Sequence, residues 1–253
     1  PIGGSTMNTA RLLGRTTAST GEAEEISVGA GLSLSGLVLT AVGITGIVDI
    51  RTASATITIP TSASKLKVTL VGAGAGSGGV AASSTLGVSG AGGPGAALVK
   101  YLSGLTAGNT LALTIGAAGS GGAAGNNNGT AGGNTILASG TETITTLTAT
   151  GGALGTGAAA NGTGTHGAAG TATNGDINLT GQTSHSDPDL AYHVFVGNPP
   201  LGFGFAAFNT SGNAAGIIGT GYGVGGSNAN DSNSTNRAGA NGTAGLAIFE
   251  WYV

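Results

Sequence analysis

The chain has 253 residues, of which 53 are Gly, with 7% charged, 4% aromatic and 40% hydrophobic residues, a formal charge of −3 and no Cys. Seven basic residues scattered over this length make no patch that neutralises phosphates, so nucleic acid is not an expected partner. The hydrophobic fraction with so little charge argues against disorder, no apolar run is long enough to insert in a membrane, and thiolate metal sites and disulfides are excluded.

Pro1 in place of Met fits removal of an initiator or a fragment, and no basic stretch followed by an apolar run marks a classical secretory leader. Residues 1–28 carry Arg11, Arg15, Glu22, Glu24 and Glu25 without a helical apolar stripe, with Gly14 and Gly21 as punctuation. They read either as a solvated arm or as an assembly segment. Residues 32–59 bring short aliphatic bursts, Leu32 to Leu39, Ile44 to Ile50, then Ile57 and Ile59, which predict strands of four to six residues. Their thin core is better satisfied by intertwining with other copies than by one chain alone.

Lys65, Lys67 and Thr69 alternate with Leu66, Val68 and Leu70, the period of a half-buried strand, which then empties into GAGAGSGG. Further strands are predicted at 96–102, 110–115, 135–138 and 142–149. Gly87, Gly90 and Gly93 fall three apart, as do Gly116 to Gly125, Gly164 to Gly170 and Gly239 to Gly245. Three residues per turn is the period of the extended polyproline-II-type helix, which has no internal hydrogen bonds. Such helices, side by side with Gly on the contact rows, satisfy one another's backbone groups. A broken period and six Pro exclude collagen, and no glycine run continues into the Lys-Ser/Thr of a phosphate loop.

Nine of the ten aromatics lie from Tyr192 onward. Tyr192, Phe195, Phe203, Phe205, Phe208 and Tyr222 stand in loop-like sequence, either as a recognition surface or as a plug for the end of a thin sandwich. Asn228 and Asn230 open the stretch NANDSNSTN, which either hydrogen-bonds sugar hydroxyls or is a solvated loop. His185, Asp187, Asp189 and His193 form the one close set of metal-type ligands, with Pro188 inside it and no visible outer-shell partner, so a solvated loop is the expectation and no metal or other cofactor is assigned. Ser184, His185 and Asp187 are too close in sequence for a catalytic triad, and Glu142, Asp176, Asp187 and Asp189 lack a setting that raises a carboxyl pKa. No enzyme is expected.

Two resemblances add to this. The segment carried by Gly14, Arg15, Thr16, Gly21, Glu24, Glu25, Ile26, Gly29, Gly31, Leu32 and Leu34 resembles one found in bacteriophage tail fibres. Val68 to Gly76, Thr110 to Gly119, Gly132 to Thr135 and the set Gly242, Gly245, Ile248, Glu250 and Tyr252 resemble the glycine-rich domain at the ends of phage tail fibres and tail adhesins. The resemblance implies an all-β protein: a short intertwined β segment at 1–60 followed by a jelly-roll-like β-sandwich at 61–253 with long polyglycine-II-like loops. It implies a homotrimer on the virion, with Arg11, Arg15, Glu24 and Glu25 in assembly against other tail or baseplate proteins. The aromatic and Asn residues above would then bind a bacterial surface glycan or outer-membrane protein. A trimeric capsid cement or head fibre without a specific receptor, and a cell-surface adhesin unrelated to phage, are the alternatives.

Overall fold

The computed structural model describes residues 11–14, 24–27, 32–35, 38–41, 46–186, 194–195, 197–205 and 212–252. The chain divides into two compact units, one ending at Gly46 and one spanning Ile47–Tyr252. In the first, Arg11–Gly14 pairs antiparallel with Glu24–Ser27, and Leu32–Ser35 with Val38–Ala41.

The second unit is all-β, built on two five-stranded antiparallel sheets. The first sheet runs, in spatial order, Ile177–Leu179, Ala97–Ser103, Lys65–Val71, Leu246–Tyr252 and Ile47–Arg51. The second runs Ala172–Thr173, Leu147–Ala149, Thr135–Ser139, Thr110–Thr114 and Ala55–Thr58. Period-two alternation turns Leu66, Val68, Leu70, Leu98, Phe249 and Trp251 of the first sheet onto Ile57, Leu111, Leu113, Leu137 and Leu147 of the second, and all are buried in one apolar cluster. Phe249 and Trp251, two residues apart on one face, stack with ring centroids 5.8 Å apart.

The unit therefore begins at Ile47, not at residue 61 as the sequence reading places it. Ile47–Arg51 is an edge strand on Leu246–Tyr252, and Ala55–Thr58 is an edge strand on Thr110–Thr114. The strand expected at 142–149 is shortened to Leu147–Ala149. Glu142 is held instead by the preceding turn, its carboxylate accepting from Thr106 N at 3.1 Å and Asn109 Nδ2 at 2.9 Å.

Beyond the sheets, strands continue into glycine-rich segments. Lys65–Val71 runs on as Gly72–Val80, turns, and returns through residues 87–96 to Ala97–Ser103. Thr110–Thr114, Leu147–Ala149 and, in reverse, Leu246–Tyr252 carry comparable segments at 116–133, 150–171 and 223–245. Gly72–Val80 is at the centre. The amides of Gly72, Ala75 and Gly78 donate to the carbonyls of Ala96, Gly93 and Gly90. Those of Ala73, Gly76 and Gly79 donate to Gly133, Thr130 and Asn127, and those of Gly74, Ser77 and Val80 to Thr243, Ala240 and Arg237, all at 2.8–3.1 Å. In return, Gly152, Gly155 and Ala158 donate to Ala73, Gly76 and Gly79, while Gly119, Gly122 and Gly125 donate to Gly74, Ser77 and Val80, and Gly226 donates to Ala75. The three-residue step in every row is the period of a polyglycine-II-type helix, and each of its three faces works on different neighbours.

Such close approach leaves no room for a side chain on the contact rows. A Cβ on Gly76 would fall on the carbonyl oxygen of Ser120, and one on Gly74 on that of Val224. The expected outcome is that Gly76→Ala lowers stability by at least about 3 kcal/mol, because backbone cannot yield as a side chain does. Exposed Ala118→Ser should stay within about 0.5 kcal/mol by thermal or denaturant unfolding.

Candidate functional site

Because the helical segments turn at their far ends from the sheets, their connecting loops come together there. Residues 81–86 join the central segment to its return, 159–162 join the 150–158 segment to its return, and 231–236 join the segments before the last strand. Ser83 ties all three. Its backbone amide donates to Asp231 Oδ2 at 2.7 Å, its carbonyl accepts from Ser234 N at 2.8 Å, and its hydroxyl accepts from Asn161 N at 2.9 Å. Thr85 N donates to Asn161 Oδ1 at 3.1 Å, and Ala82 N to Asn236 Oδ1 at 2.7 Å. Around this buried knot, Ala82, Ser84, Thr85, Ala159, Ala160, Asn161, Asn233, Ser234, Thr235 and Asn236 are exposed. Among the described residues the exposed positions of these loops are polar or small and uncharged, with the Arg237 guanidinium partly exposed beside Asn233, and suited to hydrogen-bonding a polar ligand.

Asp231 is the keystone of the knot and is fully buried. Burial alone would raise its pKa, but backbone amides of Ser83, Thr235 and Asn233 and the Arg237 side chain hold the carboxyl below its ordinary value. Arg237 Nε stands 3.5 Å from Asp231 Oδ1, and Arg237 Nη2 donates to Asn233 Oδ1 at 3.1 Å.

The site residues expected from sequence fare differently. Asn228 and Asn230 are at 0% exposure, with Asn228 Nδ2 donating to Asn230 Oδ1, so they belong to the packed interior and are not contact residues for a ligand. Asn230 pairs with Val88 beneath the cap, which draws both side chains inward. Phe203 and Tyr222 are half-buried and do not lie at the far loops. They pack on Val71, Ala97 and Leu246 on the outer face of the first sheet, where the sheet gives way to the helices, and Tyr222 N donates to Phe203 O. They act there as a plug over the aliphatic junction. Phe205 pairs through its backbone with Thr220, and Phe195 with His185. Tyr192, Phe208, Asp187, Asp189, His193 and Arg15 lie outside the described residues. Arg11, Glu24 and Glu25 lie in the strand pair of the first unit, Arg11 opposite Ser27. Among the described residues no group of three or more His, Asp or Glu is placed to hold a metal ion.

Of the carboxylates considered for glycosidic chemistry, Glu142 and Asp176 are both held below the ordinary carboxyl pKa. The Asn109 side chain and the Thr106 amide act on Glu142, and Lys100 and the Tyr101 amide on Asp176, the Lys100 contact being 2.5 Å. A general acid needs the opposite shift.

Sequence reasoning passes over 81–86 and 159–162 because their small, polar composition matches the low-complexity runs around them. The one available signal is a break in the three-residue glycine register, between Gly79 and Gly87 and between Gly157 and Gly164.

Two antiparallel sheets packed face to face are extended by hydrogen-bonded glycine-rich segments that end in clustered loops. The chain belongs to the glycine-rich domain family, whose model matches residues 50–252. No curated protein matches the sequence.

The lowered Asp231 pKa means that its contribution to stability is present above the unfolded carboxyl pKa and is lost as pH falls through the lower folded value. Asp231→Ala is expected to cost about 3 kcal/mol at neutral pH. It should also flatten the fall in Tm between pH 4 and pH 2, since the linked proton uptake disappears, as checked by thermal unfolding across that range.

Proposed function

We propose that this protein is a bacteriophage tail-fibre or tail-tip adhesin whose far loops, 81–86, 159–162 and 231–236, contact a bacterial surface receptor. The observation that carries the reading is the construction of the glycine-rich unit. A helix array separates a sheet base from an exposed polar cap, and at its surface the Ser84 and Thr85 side chains face solvent and take no part in the bonds that tie the loops together. Amide and hydroxyl groups without charge suit the hydroxyls of a surface glycan, with an outer-membrane protein loop as the second ligand class. The reading assigns binding and no catalysis. Single contacts of this kind are weak, and several copies on one particle supply avidity. The resemblance of the Gly14 to Leu34 segment and of the glycine-rich unit to tail-fibre proteins supports the setting.

Two measurements check it. In immunogold electron microscopy of particles from the source, an antibody against the 231–236 loop is expected to label tail extremities, and label spread over the capsid would make this a cement or head-fibre protein. Ser84→Trp and Thr85→Trp, at exposed positions, should leave Tm within about 2 °C while lowering adsorption to host cells at least about tenfold. Unchanged adsorption in both variants would remove the cap from the contact.

A further inference from the structure

Among the described residues, eight large apolar side chains are exposed, and Ile47, Val48 and Ile50 in the Ile47–Arg51 strand are three of them, at 46%, 61% and 60%. Among the described residues that strand is the edge of the first sheet, bonded to Leu246–Tyr252 on one side only. The sandwich's other edges are blunter. Ile177–Leu179 is three residues long, Ala172–Thr173 two, and Ala55–Thr58 carries two threonines. A five-residue apolar edge with no Pro and no Lys is a template for another strand.

The charges on the strand select which one. Asp49 and Arg51 share a face and stand 2.8 Å apart in an ion pair, with Asp49 Oδ2 also accepting from Arg51 Nε. We propose that Ile47–Arg51 pairs antiparallel with the same strand of a second copy of this chain, about a twofold axis through Ile50. In that register Ile50 meets Ile50 of the other copy, and each Asp49 stands opposite the other copy's Arg51, so the strand's own charges become two cross-strand ion pairs. A register about Asp49 would set two aspartates face to face, which is unfavourable. The axis also extends an existing feature. The outer face of the first sheet carries the row Ile177, Val99, Thr69, Ile248 and Ile50, in which Val99 and Thr69 are already buried. Pairing at Ile50 continues this row into the second copy and covers its exposed end. This twofold contact belongs to the second unit and is distinct from the threefold assembly that the resemblance implies for the N-terminal segment.

The test uses the full chain in multi-angle light scattering at micromolar concentration. Wild type is expected as an even number of copies, two where the N-terminal segment stays unassociated and six where its threefold assembly forms. Asp49→Arg and Arg51→Asp should each weaken association at least about tenfold, because each puts like charges opposite one another twice, and the double variant should restore it. Cysteine placement reads the register independently of those substitutions, since the chain has no Cys. Under mild oxidation Ile50→Cys should give a covalent two-copy species, whereas Val48→Cys should not, its two thiols lying about 13 Å apart in this register. A monomeric wild type, a three-copy species indifferent to the charge swaps, or equal cross-linking at both positions would overturn the proposal.

Discussion

Everything in the glycine-rich unit depends on backbone amides and carbonyls finding one another across segments that make no bonds within themselves. A polyglycine-II-type helix leaves every N–H and C=O to its neighbours, and a buried backbone group without a partner costs about as much as a lost hydrogen bond. Around Gly72–Val80 that requirement is met in three donor rows and in the acceptor rows that answer them. Glycine is needed there for closeness rather than for unusual torsion angles, since the rows touch carbonyl oxygens where a Cβ would be. The alanines and serines of the central segment occupy positions where the array leaves space or supplies a partner. Ser77 is one, its hydroxyl accepting from Ala240 N at 2.7 Å.

An array of this sort needs its ends fixed and its rim satisfied. The sandwich fixes the near end, with Thr135 as the joint: its hydroxyl donates to Val71 O at 2.6 Å and accepts from Gly116 N at 3.1 Å, where strand becomes helix. The Asp231 and Ser83 knot fixes the far end. At the rim, where an amide has no neighbouring helix, a short polar side chain replaces the missing carbonyl. Thr130 accepts from Ser120 N, Asn241 from Gly121 N, Asn128 from Gly157 N and Thr156 from Thr165 N, at 2.6–2.8 Å. The Asn and Thr scattered through the low-complexity runs are thus part of the hydrogen-bonding scheme and do not dilute it.

Much of this was legible in the sequence, and the limits have physical causes. Strands at 65–71 and 110–114 announce themselves by alternation, and the three-residue spacing of Gly116 to Gly125 and Gly239 to Gly245 marks which rows approach others. Which row meets which is set by the sheet order, a long-range property that spacing does not carry. Ile47–Arg51 falls with the N-terminal segment by sequence because its assignment depends on a partner, Leu246–Tyr252, at the other end of the chain. Asn228 and Asn230 looked like surface residues by composition, yet pairing of Asn230 with Val88 buries them. Phe203 and Tyr222 are adjacent only after folding, and the aliphatic junction they cover is formed by three separate strands.

Amide hydrogen exchange followed residue by residue tests the central claim most directly. In this account the amides of Gly72–Val80, which lie in neither an α-helix nor a β-strand, exchange as slowly as those of Lys65–Val71, because both open only with the whole unit. Exchange of Gly72–Val80 at the rate of the exposed 81–86 loop, with the strands still protected, would contradict it.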